Sequence, residues 1–502
     1  MTVVYRDYAR AKTGVVLGMA GWQLGIVVLA GLPILVAMQT RHWAGMVIAI
    51  VQWLIVFALT VVPVRGRSAV GWLIAVTATL VGRMFGWTRF RAKAATGSVR
   101  DPRAVDLPGV LSGVEIHDGP PRGPLMQRPA VIQHHAAKTW AMTASAVHPG
   151  IRLSEADDRA RFGRGLSEML EAVARSELVE EVMLMVRTVP EDPTERQRWI
   201  ERHRSQAGPK LARRVNDELA TFLARAAVRT EIFVTLVVPE TRIARPAKEF
   251  GGGREGRARA LYNAAEELEA HLRGGVGMSA VSWLTSPELA AACRTGWAPG
   301  DRAAITEAMS RTDGDGNIDA AIPWAMAGPS GAEAQGRHYS HDAWNSVSSA
   351  ILLPDKGAVM GALAPLLTPG PAERRSLLVV YPVLRQRDAQ RKSAKKEWSA
   401  DIGDELRRRV GSKPRAGAQR DNAQARALDG KLADGNAMTL PWAVCTTTAP
   451  RSASIAEYAH RLDTAIRGAG FSSLRMDLAQ DAAFAASVVP LGVSLTRARG
   501  TL

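Results

Sequence analysis

A chain of 502 residues, 47% of them hydrophobic and 22% charged, is too apolar for global disorder and too long for one core, so about three modules are expected besides any membrane part. Its 64 Lys and Arg against 48 Asp and Glu leave a formal charge of +16, which suits an acidic membrane surface or nucleic acid without singling out either. Two cysteines, Cys293 and Cys445, exclude a disulfide framework and a cysteine zinc site, as in a reducing cytoplasm.

The first feature along the chain is apolar. From Thr13 to Thr40 there is no charged residue or histidine, and the run from Gly14 to Met38 outreaches a hydrocarbon core of roughly 30 Å at about 1.5 Å per residue. A second run, Trp43 to Val64, comes after the short link Gln39-Thr40-Arg41-His42. Residues 1–67 are therefore expected to form a transmembrane hairpin, with spans of about 14–38 and 43–64 and with Gly14, Trp22, Met38, Trp43, Trp53 and Val64 marking the anchor. Arg6, Arg10 and Lys12 precede the first run and Arg65 and Arg67 follow the second, which predicts a multi-pass protein of the cell membrane with both termini cytoplasmic. The apolar run exceeds a signal-peptide core, and a second comes at once after it.

A third run, Ser68 to Gly82, reaches only about 22 Å and is expected to lie in the interface. Residues 68–100 then read as an interfacial basic segment, where Arg83, Trp87, Arg89 and Arg91, with Arg65 and Arg67 before them, mix cations with aromatics at headgroup level.

Beyond a Pro- and Gly-rich linker the pattern alternates. Strands are predicted at Ala130–Val147, Val179–Val189, Glu231–Val238, Gly277–Leu284, Ser376–Pro382 and Asn436–Thr447. Helices are predicted at Arg152–Ser176, Thr194–Arg229, Arg257–Leu272 and Ser454–Ile466. Two loop-like stretches, Gly314–Gln335 and Lys413–Asp434, set expected domains of 101–320 and 336–502. The predicted fold class is an N-terminal α-helical transmembrane hairpin carrying cytoplasmic α/β or α+β modules.

Chemical motifs are sparse. The nearest approach to a phosphate loop, Gly251 to Ala258, has Arg257 and Ala258 where Lys and a hydroxyl are needed. Asp313 to Asp319 resembles part of a calcium loop, but Arg311 and Ile322 hold positions that require carboxylates. His134 and His135 are adjacent and point to opposite faces of a strand, and His338 and His341 have no partner at zinc spacing. Neither a cofactor nor a metal is expected, and no catalytic residue is assigned.

Three segments together resemble a known family: His338-Tyr339 with Trp344, then Leu363 to Leu367 around Pro365, then Arg374 to Val383. They are similar to the soluble region of an integral-membrane family of actinobacterial conjugation-type (type IV) secretion loci. Gly470-Phe471, the stretch holding Gln480 and Phe484, and Pro490-Leu491-Gly492 add to it and look like the close of the amino-terminal half of TraC-class secretion ATPases. The amino terminus is similar to small PrgI proteins of Gram-positive conjugation systems. The resemblance implies ferredoxin-like or TraC-type N-terminal modules, and since the chain stops at Leu502, no motor domain is expected.

The expected role is a non-enzymatic, membrane-anchored scaffold of a type IV, conjugation-like secretion or DNA-transfer apparatus. Its implied partners are the lipid bilayer, a separate motor ATPase, other membrane subunits and copies of itself, with nucleic acid as a further partner. The alternatives are a membrane-anchored basic DNA-binding protein and a membrane component of a type VII-like system.

Overall fold

The computed structural model describes residues 4–5, 21–40, 43–61, 63–64, 67–151, 154–190, 200, 203, 209–226, 228–312, 321–352, 358–370, 372–385, 388–389 and 437–495. They divide into two compact units, Ala9–Arg89 and a larger one that joins Met1–Tyr8 to Phe90–Leu502.

The smaller unit is helical: α1 (Gly21–Gln39), α2 (Trp43–Val61) and α3 (Ala69–Met84). With few polar side chains to satisfy one another, α1 and α2 meet through small residues and one polar handle. Trp53 Nε1 donates to the carbonyl of Val27 at 3.0 Å, and Gly31 leaves room for the indole. A helix pair built for water buries its apolar stripe. Here Leu29, Leu32 and Val36 of α1, and Val47, Ile48 and Leu54 of α2, stay exposed.

In the larger unit thirteen strands form one sheet. In the first half these are β1 (Arg89–Arg91), β2 (Val114–Asp118), β3 (Ala130–His134), β4 (Thr139–Val147), β5 (Glu181–Pro190), β6 (Val228–Pro239) and β7 (Ala280–Trp283). In the second they are β8 (Gly331–Ala334), β9 (Tyr339–His341), β10 (Trp344–Leu352), β11 (Arg374–Pro382), β12 (Trp442–Pro450) and β13 (Ser472–Arg475). The order is β1-β8-β9-β10-β12-β11-β5-β6-β4-β3-β2, with β7 beside β4 and β13 beside β10. The helices are α4 (Ala156–Ser176), α5 (Lys210–Ala226), α6 (Glu240–Glu249), α7 (Gly253–Gly274), α8 (Ser286–Trp297), α9 (Arg302–Thr312), α10 (Ile455–Gly468) and α11 (Gln480–Val488).

With β1 set aside, the order is the same from both ends: β5 matches β11, β6 matches β12, β4 matches β10, β3 matches β9, β2 matches β8 and β7 matches β13. The register agrees. Thr143 of β4 opposes Thr235 of β6, and Ser348 of β10 opposes Thr446 of β12; each hydroxyl pair is hydrogen-bonded, at 2.9 and 2.7 Å. Met185 opposes Phe233 as Leu378 opposes Val444, and Met185 and Leu378 oppose each other where β5 meets β11. The halves thus interchange by a pseudo-two-fold through the Met185–Leu378 pair.

Alternate side chains on these strands enter different cores, as a period of two requires. Trp140, Met142, Val182, Val234 and Leu236 pack under α4 and α7, while Met183, Met185, Phe233, Val237 and Leu378 pack against α8 and α11 on the other face. In the second half Leu377, Ala443 and Cys445 pack under α10. Gly165 of α4 sets its spacing from the end of α7, since a Cβ there would fall 2.2 Å from Gly275 backbone atoms.

The predicted fold class is corrected in both parts. Among the described residues one segment, Trp43–Thr60 with mean hydropathy 2.1, is long and apolar enough to cross a membrane; the described apolar part of α1, Gly25–Gln39, is too short by that measure. The larger unit is not a set of small α/β modules but is built on one large antiparallel sheet. The helices do alternate with strands, but the two strands joined by α4, β4 and β5, are both antiparallel to β6 between them. Stretches 101–320 and 336–502, expected as two domains, supply strands to this same sheet.

Candidate functional site

The site that the sequence motifs point to lies at the seam between the two halves, on the α8 and α11 face. Tyr339 and His341 alternate along β9 and so share that face. Between them, α8 brings Trp297 and α11 brings Phe484. The Trp297 and Phe484 rings are 4.7 Å apart by centroid, those of His341 and Phe484 4.5 Å, and those of Tyr339 and Phe484 5.3 Å.

Polar groups there hold backbone. His341 donates from Nδ1 to the Trp297 carbonyl at 2.7 Å, which leaves Nε2 to accept from Ser346 Oγ at 2.8 Å. The matching residue His134 donates from Nε2 to the Leu491 carbonyl at 2.7 Å. Each histidine thus ties its strand to the chain at the end of the helix that follows the other half's last strand, α8 after β7 and α11 after β13. Burial, reinforced by the nearby Arg374 charge, holds His341 down at about 3, and burial likewise lowers His134. Both are neutral struts.

Two guanidinium groups close the ends of these helices, where carbonyls have no partner within the helix. Arg374 donates to the carbonyls of Thr295 and Gly296 at 2.7 and 2.6 Å. Arg187 donates to the carbonyl of Val488 at the end of α11 at 3.1 Å and to that of Ala292 within α8 at 2.8 Å, pairs with Glu231 at 2.7 Å and lies 4.6 Å over the Phe233 ring. Gln480 clasps β10, accepting from Ser348 N at 2.7 Å and donating to Ser348 O at 3.2 Å. After α11, the Pro490 carbonyl accepts from Thr143 Oγ1 at 2.9 Å, and Gly492 turns at φ +73°, its hydrogen facing Ala141, Thr235 and Val237.

Of the predicted motif residues, Tyr339, Arg374, Gln480, Phe484, Pro490 and Gly492 therefore meet at the seam. His338 and Trp344 sit at its rim, half-buried. Pro365, Gly470 and Phe471 belong to the opposite face: Pro365 opens a single helical turn at Ala364–Leu367, Gly470 turns at φ +85° after α10, and Phe471 packs in the core beneath α10. Trp297, Thr143, Thr235 and Arg187, as much part of the seam as His341, carry no sequence motif of their own. Among the described residues no three His, Cys, Asp or Glu side chains cluster as metal ligands.

Of the predicted membrane residues, Gly14 and Arg65 lie outside the described residues. Trp22 falls in the first turn of α1, and Val64 and Arg67 in short extended pairs after α2. Met38, Trp43 and Trp87 are exposed, as are Arg83, Arg89 and Arg91, whereas Trp53 is half-buried against α1. Phe85 stacks on Trp87 at 5.4 Å between centroids, so two exposed rings stand beside these cations. The part-calcium loop at Asp313–Asp319 and the stretch Lys413–Asp434 are outside the described residues.

No family model matches the chain, and no curated protein matches it.

Proposed function

We propose that this chain is a membrane-attached scaffold of a type IV, conjugation-like secretion or DNA-transfer apparatus, whose sheet unit docks a separate motor ATPase. The observation that supports it most is the pairing, in one chain, of helices with exposed apolar side chains and a large sheet unit whose buried polar residues are spent on closing its own backbone. Apolar residues on α2 that stay out of any core need lipid or another apolar partner. Attachment through the Ala9–Arg89 unit places Phe85, Trp87 and the adjoining cations at an anionic surface.

Residues Met1–Tyr8 group with the sheet unit, and Val4 and Tyr5 pair with Val359 and Ala358. The chain therefore leaves that unit and returns to it. The seam explains the placement of Tyr339, Arg374, Gln480, Phe484, Pro490 and Gly492: they hold two halves in register and so fix the shape that a partner reads.

Deleting the gene and scoring transfer tests the role. Loss of transfer or export with ATP hydrolysis by the purified separate motor unchanged is expected. Normal transfer in the deletion strain would refute it.

A further inference from the structure

The pseudo-two-fold matches β2 to β8, yet the two are treated differently. On β8, the bonds Asp342 N to Gly331 O and Gln335 N to His338 O show that odd-numbered residues turn toward β9. The even-numbered Ala332 and Ala334 turn outward, to the side where β1 lies, and Ala92 N continues that contact by donating to Ser330 O at 3.0 Å. On β2, His135 N to Gly113 O and Gly119 N to Pro129 O place the odd residues against β3 in the same way. Val114, Ile116 and Asp118 turn their amides and carbonyls outward, and β2 ends the sheet. Among the described residues no backbone group bonds to that outer side.

The match is residue by residue. Val114 opposes His134 as Ala332 opposes His341, so Glu115 corresponds to Glu333 and Ile116 to Ala334. The occupied edge holds Arg89-Phe90-Arg91, a cation-aromatic-cation strand. The free edge offers the exposed Asp118 and, beside it, Glu115, whose half-exposed carboxylate is shared with His135 at 3.0 Å and Arg254 at 3.7 Å. An unpaired edge is a template for strand addition, in which backbone bonds give affinity and side chains give selectivity.

We infer that β2 is a docking edge for an extended segment of a partner protein in which an aromatic residue lies between two cations, added as β1 is added to β8. The inference stands whether or not the transfer-apparatus reading does.

Hydrogen exchange on the full chain in detergent tests it, with a synthetic peptide of residues 87–93, Trp-Thr-Arg-Phe-Arg-Ala-Lys, as the probe. The amides of Val114, Ile116 and Asp118 are expected to exchange fast in the free chain and at least tenfold slower with peptide. Ile116→Pro, which removes one outward donor, is expected to abolish that protection; Asp118→Lys, which leaves the backbone intact, is expected to weaken peptide binding several-fold. Exchange at 330–334 reports separately whether the peptide displaces β1 instead. Protection confined to 330–334, no protection at either edge, or protection of β2 that rises with chain concentration in the absence of peptide, which assigns the edge to a second copy, would each overturn the inference.

Discussion

His341 is neutral in the folded chain because a charged imidazole would be buried beside Arg374 with, among the described residues, a carbonyl and a hydroxyl as its hydrogen-bonding neighbours. Its folded value of about 3 lies below the ordinary 6.5, so the unfolded state binds the extra proton. Stability is then fully present above pH about 6.5 and is lost as pH falls toward 3, by about 1.4 kcal/mol per pH unit for such a histidine. Urea midpoints, followed by tryptophan fluorescence in detergent, should fall between pH 7 and 5 in the native chain and fall less in His341→Gln. Gly492 makes a second case of this kind. Its positive φ and a Cβ that would lie 3.1 Å from Ala141 predict that Gly492→Ala costs about 1–3 kcal/mol. Gly274→Ala, at an open helix end, should leave the thermal midpoint unchanged or raise it. Of these residues the motifs locate Arg374 and Gly492, but nothing local marks Thr143 or Arg187. Their partners Thr235 and Val488 lie 92 and 301 positions away, a distance no spacing rule covers.

Among the helices, α11 is short, and its Ala482–Ala486 stretch is apolar because that stretch is covered on every side: Phe484 touches Trp297, Tyr339 and His341 at once. Phe484→Ala should cost about 3–5 kcal/mol, read as a lowered urea midpoint. On α2, Val51 and Leu54 are exposed in the segment long enough to cross lipid. Val51→Arg with Leu54→Arg, at about 2.5–3.5 kcal/mol per central arginine, should move the chain out of the alkali-washed membrane fraction; unchanged retention would place the attachment elsewhere. Helices α4, α7 and α10 are legible from apolar spacing and start signals. Ala130–Val147 reads as one strand in sequence, but it is the hairpin β3–β4, which turns through His135-Ala136-Ala137-Lys138 with Lys138 at φ +52°. That turn contains none of the Gly, Pro, Asn or Asp that usually announces one. Thr194–Arg229 reads as helix to its end, whereas α5 stops at Ala226 and Val228 opens β6.

Across the molecule, alternation of strands and helices is legible in the sequence, but not which strands pair. Periodicity fixes which residues share a face and says nothing of partners, so it gives no sign of β6 between β4 and β5, or of the join of β5 to β11 that makes one sheet from two halves. The duplication is hidden for the same reason: equivalent positions keep pairing geometry and hydroxyls, such as Thr143 with Ser348, and share residue identity only at scattered positions such as His134 with His341 and Thr235 with Thr446. A sheet body held in register at one seam is suited to present a fixed surface to a partner. The docking role is tested most directly by affinity purification of the tagged full chain from detergent-solubilised membranes, with bound proteins identified by mass spectrometry. Stoichiometric recovery of a P-loop ATPase encoded in the same locus is expected. A chain recovered as a monodisperse monomer, with that ATPase no higher than in an untagged control, would refute the scaffold role.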